Sequence, residues 1–310
     1  MSTSSVLFDA PGPRARRRHR IVAVVAALVL AAILAWVIVT FAHKGQLSPG
    51  KWTPFLTGEI WTAYLLPGIG GTLVAAAISI VLALVLGFIL GTGRLSEHVV
   101  VRAVAGVFTE FFRAVPVLMM MLFAFALYAR YDVVPGSMLA LAGVITGLMF
   151  YNGAVIAELL RSGVKSLPVG QSEAGLSIGL RPAQVLRTVL VPQAVTAMLP
   201  SLVSQLVVVL KDTALGYVIT YEELLKKVDQ IGNYKGNLIP AFLVVAAIYV
   251  LINYAVSELA GRLERYMRRT RRASVGAESA LLAAGGTAGI GGQLADADSD
   301  RTSDAGPDGR

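Results

Sequence analysis

The feature that most limits what this chain can become is a succession of apolar runs separated by short polar stretches. The runs cover Ile21 to Ala42, Pro67 to Leu90, Val101 to Tyr128, Ser137 to Leu160, Ala194 to Leu210 and Leu238 to Leu259. Most reach the roughly 20 residues that an α-helix needs to cross about 30 Å of hydrocarbon. A bilayer offers the backbone no partners, so each span must satisfy its own N–H and C=O groups, as a helix does. Barrel strands would alternate polar and apolar residues over about ten positions, and no such alternation is present. With 55% of its residues hydrophobic and 15% charged, the chain is too apolar for the exterior of a soluble domain. The expected fold is an all-α polytopic membrane helical bundle of about six transmembrane helices.

Breakers and charges organise the runs. Residues 1–20 are expected to be a disordered basic N-terminus ending in RARRRHR, and residues 21–66 an N-terminal span with an external loop. That first run exceeds the usual h-region of about 7–15 residues, so it reads as a retained helix rather than a signal peptide. Gly87 and Gly91 have the spacing of a close helix contact. Glu110, Arg113 and Pro116 interrupt the third run, which either kinks or splits off a short amphipathic lead-in helix. Residues 263–310 turn basic and then Gly/Ala/Asp-rich, and are expected to be disordered.

The net charge of +8 would suit nucleic acid, but the basic residues flank the ends of apolar runs, which is the footprint of membrane orientation. No nucleic-acid partner is expected. With six spans, Arg14 to Arg20, Arg94, Arg102, Arg161, Lys165, Arg181, Arg187 and the C-terminal arginines share one side, so both termini are expected in the cytoplasm of a multi-pass cell-membrane protein. The chain has no cysteine, and its three histidines sit near run ends. No metal site, cofactor or catalytic residue is expected, since no clustered His, Cys or paired carboxylates appear.

The longest internal segment on the expected cytoplasmic side is 161–193. Gly170 to Ile178 suits a short helix with Ala174 and Ile178 on one face. Gly179 ends it in a left-handed conformation, and Pro182 suits the first turn of a second helix. There Val185, Leu186, Val189 and Leu190 form an apolar stripe, and Pro192 is expected to break the helix before the fifth span. Two short helices joined at a glycine make a ledge suited either to a partner's groove or to packing beneath the bundle.

Glu173-Ala174-Gly175, Gly179, Val189, Val191 and Pro192 resemble the EAA loop of ABC importer permeases, which runs Glu-Ala-Ala, three residues, Gly, nine residues, Ile, one residue, Leu-Pro. The spacing agrees throughout. Gly175 stands for the second Ala and loosens the helix by about 0.5–1 kcal/mol. The segments GTLVAAAISIVLALVLGFILG, FTEFFRAVPVLMMMLFAF, YNGAVIAELLRSGVKSLPVGQSEAG and VPQAVTAMLPSLVSQLVVVLKDTALGYVITYEEL are similar to the polar-amino-acid permease branch, across roughly 68–262. Within it the chain looks most like the actinobacterial glutamate permease subunits. Arg113-Ala114-Val115-Pro116 departs from that branch's Arg-Gly-Thr-Pro.

The resemblance implies a type I ABC importer permease-like core over 67–262 and a transporter subunit rather than an enzyme. It also implies three kinds of protein partner: ABC ATPase subunits, a second homologous permease and an extracytoplasmic amino-acid-binding protein. Glu173, Ala174, Gly175, Gly179, Val189 and Pro192 would form the ATPase-coupling loop, with the nucleotide chemistry on another chain, since no GxxxxGK[ST] motif occurs here. Ionisable and amide groups within the spans mark the candidate substrate pathway: Arg113, Asn152, Gln205, Lys211 and Asp212. Arg113 and Lys211 are cations for an acidic amino acid, against the plainer readings of a Glu110–Arg113 ion pair and interfacial snorkelling. Asn152 and Gln205 either bind substrate or join helices, while Glu158 and Glu258 read as solvated at span ends. The rival function is an ion-driven secondary transporter, which would more often show inverted repeats around a midplane site.

Overall fold

The computed structural model describes residues 12–262 and residue 265. The expectations for residues 1–11 and for nearly all of the tail lie outside the described residues. Among the described residues, five helices are long and apolar enough to cross a membrane: α1 (Pro13–His43), α2 (Gly58–Arg94), a span at Gly136–Lys165 containing α5 (Leu139–Lys165), α7 (Pro182–Ile219) and α9 (Leu238–Arg262). The pair α3 (Val99–Ala114) and α4 (Val117–Tyr131) would make a sixth, but it is bent by 100°. Shorter helices α6 (Val169–Ser177) and α8 (Leu224–Lys235) complete the set.

Several helices depart from the sequence reading for local reasons. Pro13 sits at the start of α1, where its missing N–H costs nothing, so the basic stretch Arg14 to Arg20 is helical rather than disordered. The bend between α3 and α4 falls at Val115, which Pro116 pushes into an extended conformation (φ −81°, ψ 128°). Pro67 and Pro192 were expected to begin and to break helices, yet both lie inside continuous ones. Each follows a π-helical turn, Trp61–Leu65 or Val185–Leu190. In each, the residue before the proline donates its N–H five residues back, Leu66 to Trp61 and Val191 to Leu186. The wider turn makes room for the ring that an α-turn would press against the carbonyl four residues back.

The chain forms two units, one of residues up to Gly70 with Glu222–Ala247, the other of Gly71–Tyr221 with the residues from Ile248 onward. In the first unit no residue of α1 is buried. The connection after α1, expected as a loop, is a chain of short helical turns braced by Trp52 and Trp61, whose indole N–H groups donate to the carbonyls of Gln46 and Phe55, both at 2.9 Å. Helix α8 was not foreseen. Fully buried Glu223 caps it, accepting from the N–H groups of Leu225 and Lys226 at 2.8 Å each.

In the second unit α5 is the central helix. One cluster packs Met121 of α4 with Val144, Leu148, Val209 and Ile219, and another packs Ala83 with Ile156, Leu160, Ala194 and Met198. Phe112 of α3 stacks on Phe150 at 4.6 Å between centroids. Gly87 and Gly91 do lie against α5: a Cβ on Gly87 would stand 2.6 Å from Ile156 Cβ and 2.9 Å from the Gly153 carbonyl. Gly87→Ala should therefore destabilise the protein by about 1–3 kcal/mol, because backbone blocks relief. Gly106→Ala, where a Cβ meets nothing within 4 Å, should be neutral or slightly stabilising. Thermal denaturation of the two variants in detergent checks the contrast.

Candidate functional site

The ledge between α5 and the fifth spanning run is built from local rules. Helix α6 ends in a Schellman arrangement, with Gly179 at φ +83°, its N–H bound to the Leu176 carbonyl at 3.0 Å and the Leu180 N–H bound to the Gly175 carbonyl at 3.2 Å. A side chain at Gly179 would strain this turn. Arg181 precedes α7, and its N–H donates to Gln184 Oε1 at 2.8 Å, half of a capping box. Pro182 then occupies the first helical turn, as expected. Leu186 and Leu190 pack against the cluster around Ile156 and Met198, with Val185 buried and Val189 half-buried, so the apolar stripe faces inward.

The outward face carries Glu173 and Ala174, both exposed, and Ile178, 78% exposed. The Glu173 carboxylate accepts no hydrogen bond and joins no ion pair among the described residues. Gly175 of α6 is buried against Val185, and Gln171 Oε1 accepts from Gln193 Nε2 at 3.0 Å. Pro192 is exposed. The ledge is thus tied at two points to α7 and shows a mixed acidic and apolar surface on its free side.

The candidate pathway residues fall into three places. Asn152, fully buried, accepts at Oδ1 from Gln205 Nε2 at 2.6 Å and donates from Nδ2 to the Leu148 carbonyl at 2.9 Å. The two amides therefore join α5 to α7. Lys211 is exposed and Asp212 half-buried where α7 tightens into the 3-10 segment Thr213–Ile219. Arg113 belongs to a charged cluster. Glu158 stands at its centre, 2.6 Å from Arg161, 2.8 Å from Arg94 and 3.7 Å from Arg113. Glu110 completes it, 2.9 Å from Arg94 and 3.4 Å from Arg113. Arg94 Nη1 meets Glu158 as a charge contact without an aligned hydrogen bond.

This cluster corrects the reading of Glu158 as a merely solvated carboxylate: its side chain is 20% exposed and serves three guanidinium groups. It also enlarges the simple Glu110–Arg113 pair. Arg113, Tyr151, Val155, Glu158, Leu159 and Ser162 line a pocket of about 300 Å³ beside it. The i,i+3 pair Glu110/Arg113 was read from the sequence and Glu158/Arg161, which has the same spacing, was not; nothing local showed that Arg94 joins them. Glu258 likewise pairs, with Arg262 at 2.9 Å and Arg265 at 3.2 Å.

Sequence reasoning also missed a polar triad at the start of α8. Lys227 donates to Glu222 and, at 3.0 Å, to Gln230, and Gln230 Nε2 donates to Glu222 Oε2 at 3.1 Å. Burial raises the Glu222 pKa, but the Lys227 hydrogen bond and charge outweigh it and hold the carboxyl below the usual carboxylate range. No group of three or more His, Cys, Asp or Glu able to hold a metal ion occurs among the described residues.

Residues 83–269, which contain the ledge, α3, α4 and the charged cluster, match the family model described as the binding-protein-dependent transport system inner membrane component. The chain belongs to that family. The permease is 49% identical over 228 residues to the glutamate transport system permease protein GluD of Corynebacterium glutamicum, covering 74% of this chain and 84% of the relative. It is 36% identical over 205 residues to the probable glutamine ABC transporter permease protein GlnP of Bacillus subtilis, covering 65% and 93% of the two chains. Among solved structures, an amino acid ABC transporter crystallised with histidines aligns with a TM-score of 0.62 at 26% identity, over 68% of this permease and 98% of that chain. The inward-facing MetNI methionine ABC transporter shares the fold, with a TM-score of 0.58 at 20% identity over 68% and 99%. The resemblance to amino-acid ABC permeases is borne out, and so is the all-α multi-pass fold.

Proposed function

We propose that this permease carries glutamate through an ATP-driven importer and that its ledge is the surface on which an ATPase subunit docks. The likeness to a glutamate permease over 84% of that relative's length carries the choice of substrate. The docking role is supported by the ledge itself: Glu173, Ala174 and Ile178 face outward on a helix fastened to α7, so a force applied there reaches a spanning helix without being lost in a loose loop. The partners are ABC ATPases in the cytoplasm, a second homologous permease in the membrane and an extracytoplasmic binding protein that delivers the amino acid. The basic residues at the run ends support a cytoplasmic ledge and cytoplasmic termini. ATP chemistry resides on the partner chains.

Along the pathway Arg113, held at 3.4 and 3.7 Å by its carboxylates and 38% exposed at its side chain, is the guanidinium freest to receive a substrate carboxylate. Lys211 and Asp212 offer a second charged station, and the Asn152–Gln205 pair an amide one.

The test is uptake of labelled glutamate into proteoliposomes holding the complete importer, with ATP inside and binding protein outside. Uptake should require ATP and be competed far better by unlabelled glutamate than by glutamine, arginine or histidine. Uptake driven by a proton or sodium gradient without ATP would overturn the reading in favour of a secondary transporter. Equal competition by all four amino acids would remove glutamate as the substrate.

A further inference from the structure

The ledge departs from its family pattern at Gly175, where the loop motif has alanine. On helix propensity alone that change loosens α6. The surroundings give the glycine another meaning. It is the buried residue of α6, and a Cβ built on it would lie 2.9 Å from Val185 Cγ2 and 3.2 Å from Val185 Cγ1. Val185 is 1% exposed. It is also the first residue of the π-helical turn Val185–Leu190, through which the start of α7 passes into its spanning part.

The space an alanine methyl would occupy on α6 is therefore already filled by the branched side chain of Val185. We infer that Val185 is a positioning residue, and that Gly175 and Val185 act as one complementary pair setting the distance between the two ledge helices. The inference rests on the reading of the ledge as the ATPase-docking surface. Around this contact, the Leu180 N–H bond to the Gly175 carbonyl and the Gln171–Gln193 bond are fixed points. A methyl added at 175 cannot be absorbed by a flexible chain end, since both Val185 methyls sit on a buried, branched carbon. The helices must separate instead, and Glu173 and Ala174, on the same short helix, move with them. Removing the Val185 methyls leaves the opposite fault, a gap that lets α6 settle inward.

The pair predicts a specific pattern in the complete importer. Gly175→Ala should lower glutamate transported per ATP hydrolysed by about fivefold or more, near the lower end of what overpacking costs. Val185→Ala should also lower it. The double variant Gly175→Ala/Val185→Ala, which moves the bulk from one helix to the other, should return to within about twofold of the parent, a non-additivity expected of residues in contact.

Transport per ATP is the readout because lost folding lowers both quantities together, whereas a displaced ledge changes their ratio. Membrane levels of each variant and retention of the ATPase subunits on purification guard against simple misfolding. A double variant as impaired as the product of its singles would overturn the inference, as would Gly175→Ala with parental coupling. Glu173→Lys, run alongside, separates the two layers. If it uncouples but the pair shows no rescue, only the pairing falls; if it leaves coupling intact, the docking assignment falls first.

Discussion

Glu173→Lys should leave the permease folded and abolish productive coupling. The side chain is exposed and makes no hydrogen bond or ion pair among the described residues, so its loss should change stability by no more than about 0.5 kcal/mol. Reversing its charge where a partner surface is complementary costs about 2–5 kcal/mol, which is tens of fold or more in affinity. The expected outcome is an unchanged melting temperature together with loss of ATP-dependent glutamate uptake and of ATPase retention on purification. A variant with parental uptake and parental ATPase retention would sink the docking role. Exposure and lack of side-chain partners are what make this substitution diagnostic: the carboxylate has nothing to lose among the described residues.

Arg94→Ala is the counterpart, a change expected to act through folding. Its guanidinium side chain is 10% exposed and lies between Glu158 and Glu110, the ends of two ion pairs linking α2 to α5 and α3. Without it, Glu158 keeps Arg161 and a distant Arg113, while among the described residues Glu110 keeps the contact with Arg113 at 3.4 Å. Breaking a buried pair costs several kcal/mol, but the Glu110 side is 60% exposed and contributes little. A loss of about 2–3 kcal/mol is expected, seen as a drop of several degrees in the melting temperature. Arg94→Lys should rescue poorly, since one ammonium cannot present the planar fork that meets two carboxylates. Equal stability of parent and Arg94→Ala would show the cluster to be energetically idle.

The spans were legible because their signal is long and redundant. Ser137 to Leu160 and Leu238 to Leu259 need no partner to be recognised as helices, and Gly179 and Pro182 obey rules that involve only their own backbone. What depends on several residues at once was read less well. Proline was taken as a boundary at 67 and 192, since the π-turns that accommodate it become favourable only in the packed helix. Helix α8 escaped because LLKKVDQIGNYK has no long apolar run and is capped by a buried glutamate rather than the commoner Ser, Thr, Asp or Asn. The charged cluster joins residues 64 positions apart, Arg94 and Glu158, and a single sequence carries no record of that meeting. Gly175, judged by propensity, looked like a weakness, but Val185, ten residues on, makes it a fitted surface.

The π-turn at Val185–Leu190 also fixes a phase. Each residue advances an α-helix by about 100°, so the extra residue held in that turn sets the azimuth of everything before it relative to everything after. The ledge and the spanning part of α7 are thus indexed to each other like two gears on one shaft with a single permitted tooth. Removing one residue there would press the Pro192 ring against the carbonyl four residues back and swing the ledge about a quarter-turn from its present bearing. Chain length through this turn is under as tight a constraint as any side chain on the ledge, although none of the six residues need touch a partner.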